Sequence, residues 1–286
     1  TLVNYYATLQ NAFANATSGN TIKVLKTLTD ESTATPTVPS GKTLSLDLQS
    51  YTLTTSRYIE NNGNLTIGGT GTMAATSRCV LNNGSGTLTI NGGTYTTSTS
   101  GSGDAYAVIT QASTGAVNIS GGTLTGCDLV IADSASGNVS ITGGALTSTG
   151  DNAIYVYSTG GNVTVNGGSI TSNNNAGIVN YGTNTVTVSS GSVQGSSTGI
   201  TNKAGGTVSV AGGTVSGNGG IYDDASGTIT VSGGTISGVS YGIDSESSGT
   251  VTITGGSIQA TGGENITGNA IYITSGTVTL GNNSDA

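Results

Sequence analysis

Aromatic and charged side chains are scarce in this chain: 12 tyrosines, 14 Asp or Glu, and six Lys or Arg among 286 residues. Eight of them nevertheless recur at related spacings: Tyr155, Tyr157, Tyr181, Lys203, Tyr222, Asp224, Asp244 and Glu246. Tyrosine rings stack on the C–H faces of sugars, and carboxylates accept hydrogen bonds from sugar hydroxyls. The set therefore suits recognition of a glycan or of a protein surface. Its plainer alternative is a decorated sheet whose tyrosines only cover strand edges. Asp224, Asp244 and Glu246 are also oxygen ligands of the kind Ca²⁺ favours. Calcium-binding repeats of the form Gly-Gly-x-Gly-x-Asp are absent, so no metal and no cofactor are expected. Histidine is absent too, which removes Ser-His-Asp and Cys-His catalysis and most zinc sites.

These residues need a frame that brings distant positions together, and the frame is a repeat. Gly227-Thr-Ile-Thr-Val-Ser-Gly-Gly-Thr-Ile-Ser-Gly238 recurs from Gly206 and from Gly249, with looser copies back to Asn64. The first apolar residues of the copies are Leu65, Leu88, Val117, Val139, Val163, Val186, Val208, Ile229, Val251 and Val278. Most are 21 to 24 residues apart, with one step of 29 and one of 27. Such a period marks a solenoid. Within a copy, apolar residues two apart predict a strand, and Gly-Gly permits the sharp bend that follows. A second strand carries Leu124, Leu146, Ile170, Val193, Val215, Ile236 and Ile258; a third short run precedes each copy, as in Ala153-Ile-Tyr-Val-Tyr157. Three strands and three turns per coil predict one all-β domain, a single-stranded, right-handed parallel β-helix of about twelve coils.

Stacked coils turn sequence positions into columns. Val139, Val163, Val186, Val208, Ile229 and Val251 should share an inward column, and Asn180, Asn202, Asp223 and Ser245 a polar inward one whose amides bond to each other. With Ile154, Ile178, Ile200, Ile221, Ile243 and Ile271 inward, the next residues point out: Tyr155, Val179, Thr201, Tyr222, Asp244 and Tyr272. Two further on come Asp133, Tyr157, Tyr181, Lys203, Asp224 and Glu246. The outward threonines of the Thr-x-Thr strand, such as Thr228 and Thr230, form another face.

Residues 1–20 read as an N-terminal cap and 21–286 as the solenoid. Tyr6, Leu9 and Phe13 form the apolar side of a short helix, with Gly19 as its stop. Cys79 and Cys127 sit about two coils apart at different phases, too far for a disulfide, so free thiols are expected. The net charge of −8 makes nucleic acid and anionic membrane poor partners, and no apolar run is long enough to span a bilayer. The strand ending at Leu280 has no evident cap, so further domains C-terminal to Ala286 are expected.

Leu9-Gln-Asn-Ala12 with Gly19-Asn-Thr-Ile-Lys-Val-Leu25 resembles the cap and first strand of the pectate-lyase-like β-helix superfamily. Gly41-Lys-Thr-Leu-Ser-Leu-Asp-Leu48 and the Gly-Gly-Thr repeats resemble the adhesin-like β-helix regions of surface proteins of Gram-positive and gut bacteria. The resemblance implies an extracellular, secreted, non-enzymatic cell-surface module that binds a glycan or a host protein. It also keeps open a polysaccharide lyase or glycoside hydrolase. Lyases of that superfamily use an Arg or Lys base, however, and here only Lys203 is near the carboxylates, with Arg57 and Arg78 many coils away. The Thr-x-Thr ranks resemble those of β-solenoid antifreeze proteins, which makes ice binding a third reading; Ala116, Asn118, Asn138, Ser140 and Asn162 interrupt them.

Overall fold

The computed structural model describes residues 4–101, 103–246, 248–262 and 268–281. Residues 1–3 of the expected cap and the last residues before Ala286 lie outside this set. The described chain is a parallel β-solenoid of about eleven turns, with one helix near its N-terminus.

The apolar repeat sets the register. Val139 pairs with Val163, Val163 with Val186, Val186 with Val208, Val208 with Ile229 and Ile229 with Val251. All six side chains are buried. The Ile131, Ile154, Ile178, Ile200, Ile221, Ile243 and Ile271 column is equally continuous. Each aliphatic side chain so enclosed stabilises the rod by roughly 1.5–3 kcal/mol. Turn glycines make the stacking possible. Gly234 has φ of 77°, and a Cβ there would lie 2.7 Å from the carbonyl carbon of Gly212 one coil below. In the first strand Ile22 pairs with Leu46, two residues beyond Leu44, the first apolar residue of its partner strand. A two-residue slip keeps the same side chains inward, so the pattern alone does not specify it.

The polar inward column is longer than its four expected members. Asn61, Asn82, Gln111, Asp133, Val156, Asn180, Asn202, Asp223 and Ser245 are in register. Asn61 donates to Asn82 at 2.7 Å and Asn82 to Gln111 at 2.6 Å. After the apolar interruption at Val156, Asn180 donates to Asn202 at 3.1 Å and Asn202 to Asp223 at 2.8 Å. The donation runs one way, and in the second run it ends on a carboxylate, which only accepts when ionised. Room for these amides is made by glycine: a Cβ at Gly227 would sit 2.3 Å from Asn202 Nδ2.

The helix spans Leu9–Asn15, with Thr8 as N-cap and Ala16 as C-cap. Leu9 N–H donates to Asp30 Oδ1 at 2.9 Å, tying the helix to the first coil. Leu9 and Phe13 are buried in the common core. Tyr6 departs from expectation: it precedes the N-cap and is exposed. The helix begins too late to carry it inward. Cys79 and Cys127 are free thiols; burial pushes the Cys79 thiol up to about 12, which makes it inert.

Candidate functional site

The third face carries the predicted site. Ala132, Tyr155, Val179, Thr201, Tyr222, Asp244 and Tyr272 form one outward column. Tyr155 stacks on Tyr181 with ring centroids 5.1 Å apart and planes 19° apart, and lies 4.5 Å from Tyr157. Tyr155 and Tyr157 pack on a satellite cluster of Ala107, Leu129 and Ala132. Tyr181 remains exposed. Burial, then the neighbouring Tyr181 and Tyr157, pushes the Tyr155 hydroxyl up to about 12, so it stays a neutral donor.

The remaining predicted residues gather further along. Lys203 Nζ lies 2.5 Å from Asp224 Oδ2 and 5.0 Å from the centroid of the Tyr222 ring. The Tyr222 hydroxyl donates to Glu246 Oε2 at 2.9 Å. Burial, then that bond to Glu246, pushes this hydroxyl up to about 12. Asp244 departs from a freely exposed contact, since it is only 9% exposed and its Oδ1 has no hydrogen-bond partner. Burial, then the charge of Glu246, raises its pKa.

Between the two groups is a groove of about 360 Å³. Its floor is small: Ala176, Val179 and Thr201 are all buried. Tyr181, Lys203 and Tyr222 form one side, and Asn152, Asn175, Ser197 and Thr198 the other. Asp151 braces the polar side by accepting from Asn152 at 2.8 Å and Asn175 at 2.9 Å. In register, Tyr155 and Tyr222 are three coils apart, ~14 Å at the strand spacing, with Val179 and Thr201 between them. Two coils without large side chains therefore open a slot flanked by rings.

Sequence reasoning missed Tyr241. It belongs to the column two residues before the inward isoleucines, with Thr198 and Gly219. Its ring is 6.4 Å from that of Tyr222 and lies over Gly219, where a Cβ would come within 2.2 Å of it. The Gly219-Gly220 pair was the available signal. Also unforeseen was the role of the 29-residue step. Between the strand that ends at Thr97 and the one that begins at Ala107 is a 3-10 turn at Asp104–Tyr106, beside the third-face strand Leu129–Asp133.

Asp133 was expected to point outward with Tyr157 and Tyr181; it points inward. It is in register with Gln111 and Val156 and fully buried, because the phase of this strand puts Ser134, one residue on, at the turn. Its Oδ2 accepts from Gly161 N–H at 2.9 Å, and its Oδ1 has no partner. Burial, opposed by the backbone donors, raises its pKa from 3.8 to about 7. The folded state thus binds a proton that the unfolded chain releases between those values. Stability should be fully present below about pH 4 and fall by ~4 kcal/mol as pH rises to about 7. Urea titrations across that range should show the slope, and Asp133→Asn should flatten it.

The Thr-x-Thr face is continuous in one column, from Thr164 through Thr187, Ser209, Thr230 and Thr252 to Thr279. In its companion column Asn138 and Asn162 turn back to accept from Asn162 N–H and Thr185 N–H of the next coil, at 3.1 and 2.9 Å. Those asparagines serve the turn. Among the described residues no group of three or more Cys, Asp or Glu is arranged to hold a metal ion. Among the described residues no helix is long and apolar enough to cross a membrane. No protein-family model, curated protein or solved structure matches the chain.

Proposed function

We propose that this chain is a non-enzymatic, extracellular binding rod of the adhesin-like kind, belonging with the pectate-lyase-like β-helices, and that its third face holds a glycan. One observation carries the reading: the groove between Tyr181 and Tyr222, with a floor of Ala176, Val179 and Thr201 and a polar edge of Asn152, Asn175, Ser197 and Thr198. A sugar ring needs an apolar face for its C–H surface and directional partners for its hydroxyls, and this groove offers both. Two of the three carboxylates, Asp224 and Glu246, speak against hydrolysis. Asp224 is held by Lys203 and Glu246 by Tyr222, so neither stands open as nucleophile or acid.

A glycan-panel screen with the whole chain tests the proposal. Binding to at least one glycan class should appear and should be lost when Tyr155, Tyr157, Tyr181 and Tyr222 are changed together to Ala. Binding that survives the fourfold change would remove the strip from the account.

A further inference from the structure

We infer that the groove selects a sugar bearing an acetamido group, an N-acetylated hexosamine within a glycan, over plain hexoses, free amino sugars and uronates; this rests on the glycan reading above. The hydrogen bonds of the lining carry the inference, because they leave donors over. Thr198 and Thr201 line the groove and are each 7% exposed. Their hydroxyl oxygens are 2.5 Å apart. Two hydroxyls carry two protons, and the bond between them uses one. Among the described residues neither hydroxyl has a second partner, so one proton is left without an acceptor. The amides of Asn152 and Asn175 add to it. Each donates one N–H to Asp151 Oδ1, at 2.8 and 2.9 Å. Their oxygens are taken, by Ala176 N–H and by the Ser197 hydroxyl, both at 3.1 Å. One N–H of each amide is thus left for a ligand.

A group that only accepts suits such an edge. A carbonyl oxygen has lone pairs and no proton, whereas a hydroxyl brings a proton of its own and an ammonium brings nothing but donors. A carboxylate also accepts, but its charge finds no counterpart here. The one charged residue of the lining, Lys203, is already paired with Asp224 at 2.5 Å. Asp151, a carboxylate itself, accepts from both amides and repels a second one. An acetamido group is neutral, and its methyl needs an apolar place. Ala176 and Val179 in the buried floor supply it. Val179 is in register with Thr201 on the neighbouring coil. A methyl and an oxygen on one carbon therefore meet floor and donor together. The sugar ring then lies against Tyr181, the exposed ring at the edge of the groove.

The test measures binding of the whole chain to four probes: β-1,4-linked oligomers of N-acetylglucosamine, glucosamine and glucose, and an oligogalacturonate. The first three differ only in the acetamido, ammonium or hydroxyl group at one ring carbon. The acetylated oligomer should bind at least about tenfold tighter than each of the others. Changing Thr198 and Thr201 together to Val removes both hydroxyls and keeps their shape, a replacement a fold tolerates. It should shrink that ratio severalfold, with circular dichroism confirming the fold. Asn175→Ala, at an exposed position, gives the same reading should the double variant not fold. A ratio that stays whole in the folded variant overturns the assignment to these donors. Equal or tighter binding of the glucose, glucosamine or galacturonate oligomer overturns the acetamido preference, and its loss on Tyr181→Ala leaves the glycan reading standing. Failure of all four oligomers, when the panel glycans that do bind lack acetamido groups, overturns the preference as well. Failure of every glycan in the panel overturns the glycan reading itself.

Discussion

Replacing Asn202 with leucine should destabilise the rod by about 3 kcal/mol or more. The side chain is fully buried and sits between two coils. Its oxygen accepts from Asn180, and its amide donates to Asp223 Oδ1 and to Gly206 O at 3.1 Å. Leucine takes the acceptor from Asn180 and a donor from a buried carboxylate, while that carboxylate stays in the core. Losing a donor to a buried charge costs more than losing a neutral hydrogen bond. Thr230→Val, on the outside of the first face, should change stability by less than about 0.5 kcal/mol. Chemical denaturation of both variants reads the difference. If Asn202→Leu unfolds with the wild-type midpoint, the amide column is not what fixes the third turn. Hydrogen exchange should place the loosening at the coils on either side of Asn202, because a solenoid couples nearest neighbours.

The second large effect concerns binding. Tyr181→Ala should weaken glycan binding by about tenfold or more, while Tyr222→Ala costs less. Tyr181 is the exposed member of its stack, and its ring borders the groove directly. Removing such an aromatic anchor costs about 1–3 kcal/mol. The Tyr222 ring already carries Lys203 on its face and is held by Glu246, so less of it is free for a ligand. Thr201→Tyr supplies the converse. The new ring would continue the column between Val179 and Tyr222 and fill the slot, and it would remove the buried hydroxyl that bonds to Thr198 at 2.5 Å. Binding should be abolished, with stability lowered by about 1–3 kcal/mol and the fold kept. Full affinity in Thr201→Tyr would mean that the ligand, if bound, lies elsewhere on the rod.

These two variants also separate what was legible from what was not. The inward columns were readable because repetition removes ambiguity. Val208, Ile229 and Val251 recur at one phase, and a one-residue slip from the observed register would turn apolar residues outward. The face and phase of Tyr155, Tyr222 and Asp244 followed from the same count. Asp133 was misjudged because one residue changes inside to outside in a strand, and the length of the turn after it is not written in the apolar pattern. Tyr241 was missed because its position two before the isoleucine becomes part of the face only when the strand runs straight through the preceding turn, as Thr235–Ser245 does.

By itself, then, the sequence determined the solenoid, its columns and the face on which the tyrosines and carboxylates collect. Those are consequences of period and pleat, which act locally and repeat. Only the tertiary structure decided that Tyr155 leans on Tyr181, that Lys203 bridges Asp224 and the Tyr222 ring, and that Val179 and Thr201 leave a slot between them. Side chains on neighbouring coils choose their rotamers against one another across ~4.8 Å, and that choice depends on neighbours some twenty residues away in the chain.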